Sequence, residues 1–220
     1  GSRELADKII SDFAPPFTVS AVEKKEIHRS PPPPYTTSAM QIDAGRRLGL
    51  PAKRTMQLAQ PLYEHGVITY PRTDSVALAT KFLGVAKSYV EKNFGKEYSH
   101  YRTYATKSKL AQEAHEAIRP THIETQAVDT GTQNGLTAQH QKLYELIWKR
   151  AVASQMSEAI FDSTTIQVTS TNGYLFETQG SIIKFDGFLK VAGYESEAVV
   201  LPEVTQGEEL KLISTLPEQK

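Results

Sequence analysis

The sequence has no cysteine among its 220 residues, which excludes disulfide bonds and every metal site built on thiolates. It also lacks any apolar run near the roughly 18 residues that a membrane-spanning helix needs, so no membrane partner is expected. The 25 basic and 25 acidic side chains cancel, whereas free-standing nucleic-acid-binding domains usually carry a basic excess. Charge therefore permits a nucleic-acid ligand without requiring one.

Several common catalytic signatures are missing as well. The sequence contains neither a Gly-rich phosphate loop nor a Gly-x-Ser-x-Gly nucleophile motif. There is no Asp-x-Asp pair, and the histidines and acidic residues are too dispersed to indicate a metal site. Hydrophobic residues make up 39% of the chain and charged residues 23%, which is ordinary for a globular protein with one large or two modest domains.

The first part of the sequence combines a helical pattern over residues 3–13 with strand-like alternation over residues 17–29. Four consecutive prolines at 31–34 exclude a helix or a central strand there. They are typical either of a stiff connector between domains or of a polyproline ligand for a partner. The connector is favoured, because helical patterning begins directly after the prolines.

Helical patterns dominate the middle of the chain. A hydroxyl side chain at position 37 or 38 is the predicted N-cap of a helix that stops at Gly49, and a second helix runs from there to Gly66. These two form a helix-turn-helix outline, which many purely structural helix pairs share. Further helices are predicted over residues 76–94, 110–118 and 136–156.

After residue 156 the pattern changes to alternation, interrupted by Asn172-Gly173, the strongest two-residue hairpin signal. Short strands are predicted over residues 164–169, 174–178, 182–185, 188–191, 198–201 and 209–213. We therefore predict an α+β fold with two domains. A mainly helical, helix-turn-helix-like domain at residues 32–154 is inserted into a β-rich domain formed by residues 1–31 and 155–220.

The segment from Ile68 to Ser75 reads Ile-Thr-Tyr-Pro-Arg-Thr-Asp-Ser and places Tyr70 two residues before Arg72. In an extended segment, that spacing puts both side chains on one face. A free phenol, with a pKa of about 10, is a weak nucleophile until nearby cations favour its phenolate. A guanidinium can also bond two phosphate oxygens at once. The pair suits attack on a phosphodiester, although a Tyr-x-Arg triplet is by itself also common in structural positions.

A second segment, residues 111–121, reads Ala-Gln-Glu-Ala-His-Glu-Ala-Ile-Arg-Pro-Thr and places His115 between Glu113 and Glu116. An imidazole titrates near neutral pH, so His115 is suited to donate to a phosphate oxygen or to move a proton. A surface or helix-capping histidine is the alternative interpretation.

Both segments resemble the active-site signature of type IA DNA topoisomerases. The similarity continues through residues 34–38, 53–60, 141–148 and 173–176, so it covers nearly the whole chain. The closest general likeness is to the bacterial topoisomerase I subfamily. Pro71 departs from the methionine that often stands at this position in that subfamily.

The resemblance implies that Tyr70 attacks a single DNA strand and becomes a 5′-phosphotyrosine, leaving a free 3′-hydroxyl, so that resealing needs no ATP. It implies that Arg72 holds the scissile phosphate and that His115 hydrogen-bonds it. Other positions match residues of the family's DNA-binding cleft, namely Gln60, Glu64, Thr69, Thr73, Asp74 and, as a contact to the DNA backbone, Arg119.

The resemblance also implies how the domains work together. The helical domain is expected to carry the tyrosine, and the β-rich domain to be the arch, or hinge, through which it swings away to pass a strand and relax negative supercoils. Mg²⁺ is expected in the full-length isomerase, bound by an acidic toprim domain that this sequence lacks. The expected partners are single-stranded DNA and the other domains of the same polypeptide, in the cytoplasm at the nucleoid. This fragment alone is expected to be inactive.

Two other classes of function stay open from the residues alone. One is a non-catalytic helix-turn-helix DNA-binding module that reads a groove with the helix at 51–65 and uses Tyr70 only structurally. The other is a β-rich interaction scaffold whose proline run serves as a docking ligand. Covalent trapping of DNA on Tyr70 would separate the first interpretation from both.

Overall fold

A computed structural model describes residues 3–105, 116–131, 135–193 and 199–215. Within this part of the chain the residues form two compact units. One, the sheet unit, comprises described residues of the ranges 1–28, 160–185 and 196–220, and the other, the helical unit, those of 29–159 and 186–195. The mixed helix-and-sheet character of the fold is thereby confirmed, whereas the inserted-domain arrangement stays a prediction.

The sheet unit contains a four-stranded sheet in the order β3-β2-β1-β4. Its elements are α1 (Arg3–Ser11), β1 (Phe17–Arg29), β2 (Ala159–Ser170), β3 (Leu175–Phe185) and β4 (Glu209–Leu210). β2 and β3 form the predicted antiparallel hairpin across Asn172-Gly173, and β4 pairs antiparallel with the start of β1. Aromatic side chains hold one end of the unit together, since the ring of Phe176 contacts those of Phe13 and Phe17 edge-on at 4.9 and 5.8 Å between centroids.

The helical unit is organised around one buried helix. Its elements are α2 (Thr37–Leu48), α3 (Ala52–Glu64), α4 (Thr80–Asn93), a 3-10 turn (Lys96–Tyr98), α5 (Ala138–Ala153) and α6 (Leu189–Ala192). α5 packs against α2, α3 and α6. Leu143, Ile147 and Ala151 recur along it at helical spacing and are fully buried. The Trp148 indole, also buried, donates to the carbonyl of Ile123 at 2.7 Å, which identifies it as a packing residue.

A largely buried polar network ties α2 to α5. The hydroxyl of Tyr35 donates to Asp43 at 2.6 Å, and the guanidinium of Arg150 donates to the same carboxylate oxygen at 2.7 Å. Arg150 also lies over the Tyr35 ring, 4.4 Å from its centroid. Burial raises the pKa of Tyr35 above its usual range, so this phenol stays protonated and acts as a donor.

Three sequence-based predictions in this unit were wrong by a few residues, and at residues 76–79 and 116–118 the reason is that tertiary hydrogen bonds replaced helical ones. Thr36, rather than position 37 or 38, caps α2, and its hydroxyl accepts from the backbone N–H of Ala39. Residues 76–79 are not helical, and α4 begins only at Thr80, directly after the extended N-cap residue Ala79. Residues 116–118 are not helical either, and Ile118 pairs with Tyr35, while residues 110–115 of that predicted helix lie outside the described residues.

In the C-terminal part, the strand predicted over residues 188–191 is instead the short helix α6. Short apolar runs do not distinguish strand from helix by pattern, and here Gly187, with φ of 48°, turns the chain into helical geometry. The two strands predicted at 174–178 and 182–185 are one continuous strand, β3. The predicted strand at 198–201 is reduced, within the described residues, to a single bridge between Val199 and Ser181.

Across the described ranges, no helix combines the length and the apolarity that crossing a membrane requires.

The end of α3 depends on glycine, and this dependence can be tested. Gly66 has φ of 70°, and its N–H bonds to Tyr63 while that of Val67 bonds to Leu62, which is a Schellman motif. We expect Gly66→Ala to lower the free energy of unfolding by about 1 kcal/mol, because a Cβ is strained in this conformation. Urea denaturation measures the change.

Gly84 provides the matched control. It lies within α4, outside the left-handed region, and an added Cβ would meet no atom within 4 Å. Gly84→Ala should therefore raise the free energy of unfolding by about 0.5–1 kcal/mol. Equal effects of the same sign at both glycines would contradict this account of the helix end.

The start of α5 should make stability depend on pH. His140 is buried, and its Nδ1 accepts the backbone N–H of Thr137 at 2.9 Å. Burial first, then the positive charges of Arg54 and His65, lower the pKa of His140. Because the folded-state pKa lies below the unfolded one, the stabilisation is complete above about pH 6.5 and is lost as the pH falls below it.

We expect the urea midpoint to fall between pH 8 and pH 5, and His140→Gln to reduce that fall. Glutamine keeps an acceptor at this helix position but does not titrate. A pH profile that is the same in wild type and His140→Gln would show that His140 is not responsible.

Candidate active site

The segment that carries Tyr70 is held in place directly before this residue. Upstream, the Schellman motif at the end of α3 sets the direction in which the chain leaves the helix. Residues 67–69 then pair with residues 119–121. The N–H of Thr69 bonds to Arg119 at 2.9 Å, and that of Thr121 bonds to Val67 at 3.0 Å. Tyr70 therefore follows directly after two rigid elements.

Thr69 strengthens this pairing with its side chain. Its hydroxyl donates to the carbonyl of Ala117 at 2.7 Å and accepts the N–H of Arg119 at 3.0 Å. Both hydrogen-bonding functions of the hydroxyl are thus used within the protein. The predicted role of Thr69 in contacting DNA stays a prediction, and its observed role is to order the tyrosine segment.

The phenol of Tyr70 is accessible. Its side chain is 45% exposed, and its ring contacts that of Tyr63 edge-on, with 5.3 Å between centroids and 69° between planes. Such a contact orients the ring without covering it. The backbone leading to Tyr70 is therefore held while Tyr70 itself is exposed.

Arg72 is exposed too, and no hydrogen bond or ion pair joins its guanidinium to any residue that the structure describes. A guanidinium in this state keeps all its donors for a ligand. Pro71 and Thr73, on either side of it, are buried. The exposed side chain of Arg72 thus extends from a buried stretch of backbone.

The other predicted cleft residues divide into exposed and internally bonded ones. Gln60 and Glu64 lie one turn apart on α3, and the Gln60 amide donates to the Glu64 carboxylate at 2.8 Å. Asp74 is exposed. Thr73 is 7% exposed and its hydroxyl accepts the N–H of Ser75 at 3.0 Å, so this side chain organises the loop.

Arg119 is engaged within the protein. Its guanidinium makes two bonds to Glu116, the shorter at 2.6 Å, and lies 4.5 Å from the centroid of the Phe82 ring. Its side chain is only 13% exposed. Glu116 also accepts the backbone N–H of Ala79 at 2.5 Å. The predicted DNA contact by Arg119 stays a prediction, and the geometry gives this side chain a structural partner.

His115 and its neighbour Glu113 lie outside the described residues. In the part of the chain that is described, no three His, Asp or Glu side chains come together in a way that would hold a metal ion. The described residues therefore form no cluster of three such ligands for Mg²⁺.

Three residues near the tyrosine segment were not singled out by sequence reasoning as parts of the site. Tyr63 contacts the Tyr70 ring, Glu116 holds Arg119, and Thr37 bonds to residues 71 and 73. Tyr63 and Glu116 are near their partners in sequence, so their residue types carried a usable signal. Thr37 is 34 positions from Pro71, and no local pattern points to such a contact.

Comparison with known proteins gives consistent results. A family model described as DNA topoisomerase matches residues 1–220. The chain is 41% identical over 235 residues to DNA topoisomerase 1 of Rickettsia felis, an alignment covering 99% of this chain and 30% of that protein. It is 43% identical over 209 residues to DNA topoisomerase 1 of Streptomyces coelicolor, covering 88% of this chain and 22% of that protein.

A solved structure supports the same relationship. Full-length topoisomerase I from Thermotoga maritima superposes with a TM-score of 0.75 at 30% identity, over 96% of this chain and 35% of that one. The chain thus spans about a third or less of the length of these relatives. The resemblance read from the two sequence motifs is confirmed at the level of the family.

The Arg119–Glu116 pair allows a test of whether Arg119 is structural. We expect Glu116→Gln and Arg119→Met each to lower the free energy of unfolding by about 1–2 kcal/mol, because each leaves a largely buried charged group without its partner. Glutamine is chosen because it keeps an oxygen for the N–H of Ala79. Urea denaturation of both variants and of the double variant gives the coupling energy.

The double variant should be destabilised by clearly less than the sum of the single changes. If Arg119→Met left stability unchanged, the ion pair would not be structural and a role in ligand binding would be favoured instead.

Proposed function

The chain belongs to the type IA DNA topoisomerase family, and from this premise we propose that it supplies the tyrosine with which the whole protein cleaves and rejoins one DNA strand. The observation that carries the proposal is the state of Tyr70, an exposed phenol on a backbone held by α3 and by the pairing with residues 119–121. A nucleophile needs access and a defined position, and Tyr70 has both.

The proposed reaction is a transesterification. The Tyr70 hydroxyl oxygen bonds to the phosphorus of a phosphodiester, the bond from phosphorus to the 3′ oxygen breaks, and a 5′-phosphotyrosine forms. The proton lost by the phenol balances the one gained by the 3′ oxygen. One phosphodiester is exchanged for another, so the reverse attack by the 3′-hydroxyl reseals the strand without an energy source.

We assign the scissile phosphate to Arg72. Its guanidinium has no partner among the described residues and projects from a buried backbone, so two of its donors are able to meet two phosphate oxygens. A positive charge at this point favours the phenolate and offsets the charge that builds up on the phosphate during attack. His115 is assigned a second hydrogen bond to the same phosphate, on family resemblance alone.

The remaining cleft residues take two kinds of role in this proposal. Gln60, Glu64 and Asp74 offer polar groups to single-stranded DNA from the end of α3 and from the loop. Thr69, Thr73 and Arg119 act through the protein, because their polar groups are already bonded to other residues. DNA contact is thus assigned to Asp74 and to the Gln60–Glu64 pair, which among the described residues bond at most to each other, and ordering of the site to side chains bonded to other parts of the protein.

Other parts of the proposal concern the whole protein. We assign Mg²⁺ to a toprim domain of the full-length enzyme on family resemblance alone, and no step above is routed through it. We further propose that the sheet unit belongs to a hinge for strand passage, that negative supercoils in nucleoid DNA in the cytoplasm are the substrate, and that this chain alone is inactive.

A groove-reading module remains the alternative function. α2 and α3 do form a helix pair joined by a short turn. However, Arg54 of α3 bonds to Gln139 at 2.5 Å, which removes one of the basic side chains that would have to face a groove. No observation favours this function over strand cleavage.

The decisive experiment traps the covalent intermediate. The whole protein that contains this chain is mixed with single-stranded DNA labelled at its 3′ end, in buffer with Mg²⁺, and quenched with detergent. We expect labelled DNA on the protein, its loss in Tyr70→Phe, and a roughly 100-fold slower formation in Arg72→Ala, the usual effect of removing one donor to developing charge.

Tyr101→Phe is the matched control, because Tyr101 is similarly exposed, at 51%, and lies outside the proposed site. It should form the adduct at the wild-type rate. An adduct that persists in Tyr70→Phe, or that carries a 5′ label instead of a 3′ label, would rule out the proposed role of Tyr70.

A further inference from the structure

Thr37, the first residue of α2, contacts both peptide groups that flank Arg72. Its hydroxyl donates to the carbonyl of Pro71 at 2.8 Å, with the carbonyl of Thr73 also within reach at 3.1 Å. The same hydroxyl accepts the N–H of Thr73 at 2.9 Å. The backbone N–H of Thr37 bonds to the carbonyl of Thr73, also at 2.9 Å.

These bonds determine the backbone conformation of Arg72. The carbonyl of Pro71 belongs to the peptide group on one side of Arg72, and the N–H of Thr73 belongs to the peptide group on the other side. Holding both groups from one atom leaves little freedom in the two backbone dihedrals between them. The backbone of Arg72 is therefore held although its guanidinium forms no hydrogen bond or ion pair with any described residue.

The base from which Thr37 acts is itself rigid. Thr36 caps α2, and Met40 and Ala44 on the same helix are fully buried. The N–H of Thr37 is one of the free donors at a helix start, and bonding to Thr73 satisfies it. The loop is thus attached to the end of an anchored helix.

We propose that Thr37 is a positioning residue for Arg72, which places the guanidinium at the scissile phosphate before DNA binds. This inference rests on the proposed function. It adds a residue that contacts neither DNA nor the reacting atoms and acts only through the backbone of Arg72. Preorganisation of this kind affects the reaction step more than binding, because the phosphate charge grows during attack.

A purely structural role for Thr37 makes a different prediction. If its hydroxyl only stabilised the fold, its removal would lower stability and leave cleavage per folded molecule unchanged. Removing a different hydrogen bond at the start of α2, such as the cap made by Thr36, would then likewise lower stability and leave cleavage per folded molecule unchanged. The two roles are separated by comparing Thr37 with its neighbour Thr36.

The test uses the whole protein, the 3′-labelled single strand described above and single-turnover conditions. Thr37→Val, which removes the hydroxyl at nearly constant shape, should slow adduct formation about tenfold, with an oligonucleotide Kd within about threefold of wild type. Thr37→Ser keeps the hydroxyl and should restore the rate to within about twofold. In an Arg72→Ala background, Thr37→Val should slow the reaction no further, because Thr37 acts by positioning the Arg72 guanidinium, which this background lacks.

Thr36→Val is the matched control. It removes the cap of α2, and so costs stability, but touches neither residue 71 nor residue 73. Rates are expressed per folded molecule, measured by circular dichroism. If Thr37→Val does not fold, Thr37→Ala, which also lacks the hydroxyl, is compared with wild type and Thr36→Val in its place.

Each outcome decides the matter. Wild-type cleavage by Thr37→Val, equal slowing by Thr36→Val, or multiplicative slowing in the Arg72→Ala background would each overturn the inference and leave the proposed function in place. Failure of the wild-type protein to form any adduct would overturn the proposed function, and this inference with it.

Discussion

The short backbone pairing between residues 67–69 and 119–121 is the interaction on which the candidate site depends. Ile68, at its centre, is buried, so its neighbours' peptide groups must find partners inside the protein. The strand-like stretch that supplies them also bonds Ala117 to Ala77 and Ile118 to Tyr35. One extended segment thus ties the start of α2, the tyrosine segment and the approach to α4 together.

Around this pairing, hydroxyl groups mostly serve the backbone. Those of Thr37, Thr69, Thr73 and Ser75 each bond to main-chain groups of the same region. Short hydroxyl side chains compete well for backbone partners. The consequence is a loop that is satisfied internally and leaves the Tyr70 phenol and the Arg72 guanidinium as its exposed chemistry. A site of this kind is ordered before a ligand arrives, which lowers the entropy cost of binding.

Sequence patterns succeeded wherever local signals decide the structure. β1, the hairpin at Asn172-Gly173 and α5 follow from alternation, turn chemistry and a 3.6-residue period, and all three are present. The helices predicted over residues 76–79 and 116–118 are absent, because the backbone there forms hydrogen bonds to distant segments instead. Sequence patterns also failed at 188–191, where an apolar run too short to show a period folded as α6.

The sequence by itself identified the family and the residues that carry the proposed chemistry, because type IA topoisomerases share the motifs around Tyr70 and His115. It determined Arg72 as the nearest cation to Tyr70 along the chain. Only the tertiary structure decided that Arg119 is held by Glu116 and Phe82. It also decided that Thr37 bonds to the peptide groups on both sides of Arg72. The hydrogen bonds of Thr37 join residues 34 and 36 positions apart, and no local spacing in a single sequence encodes such contacts.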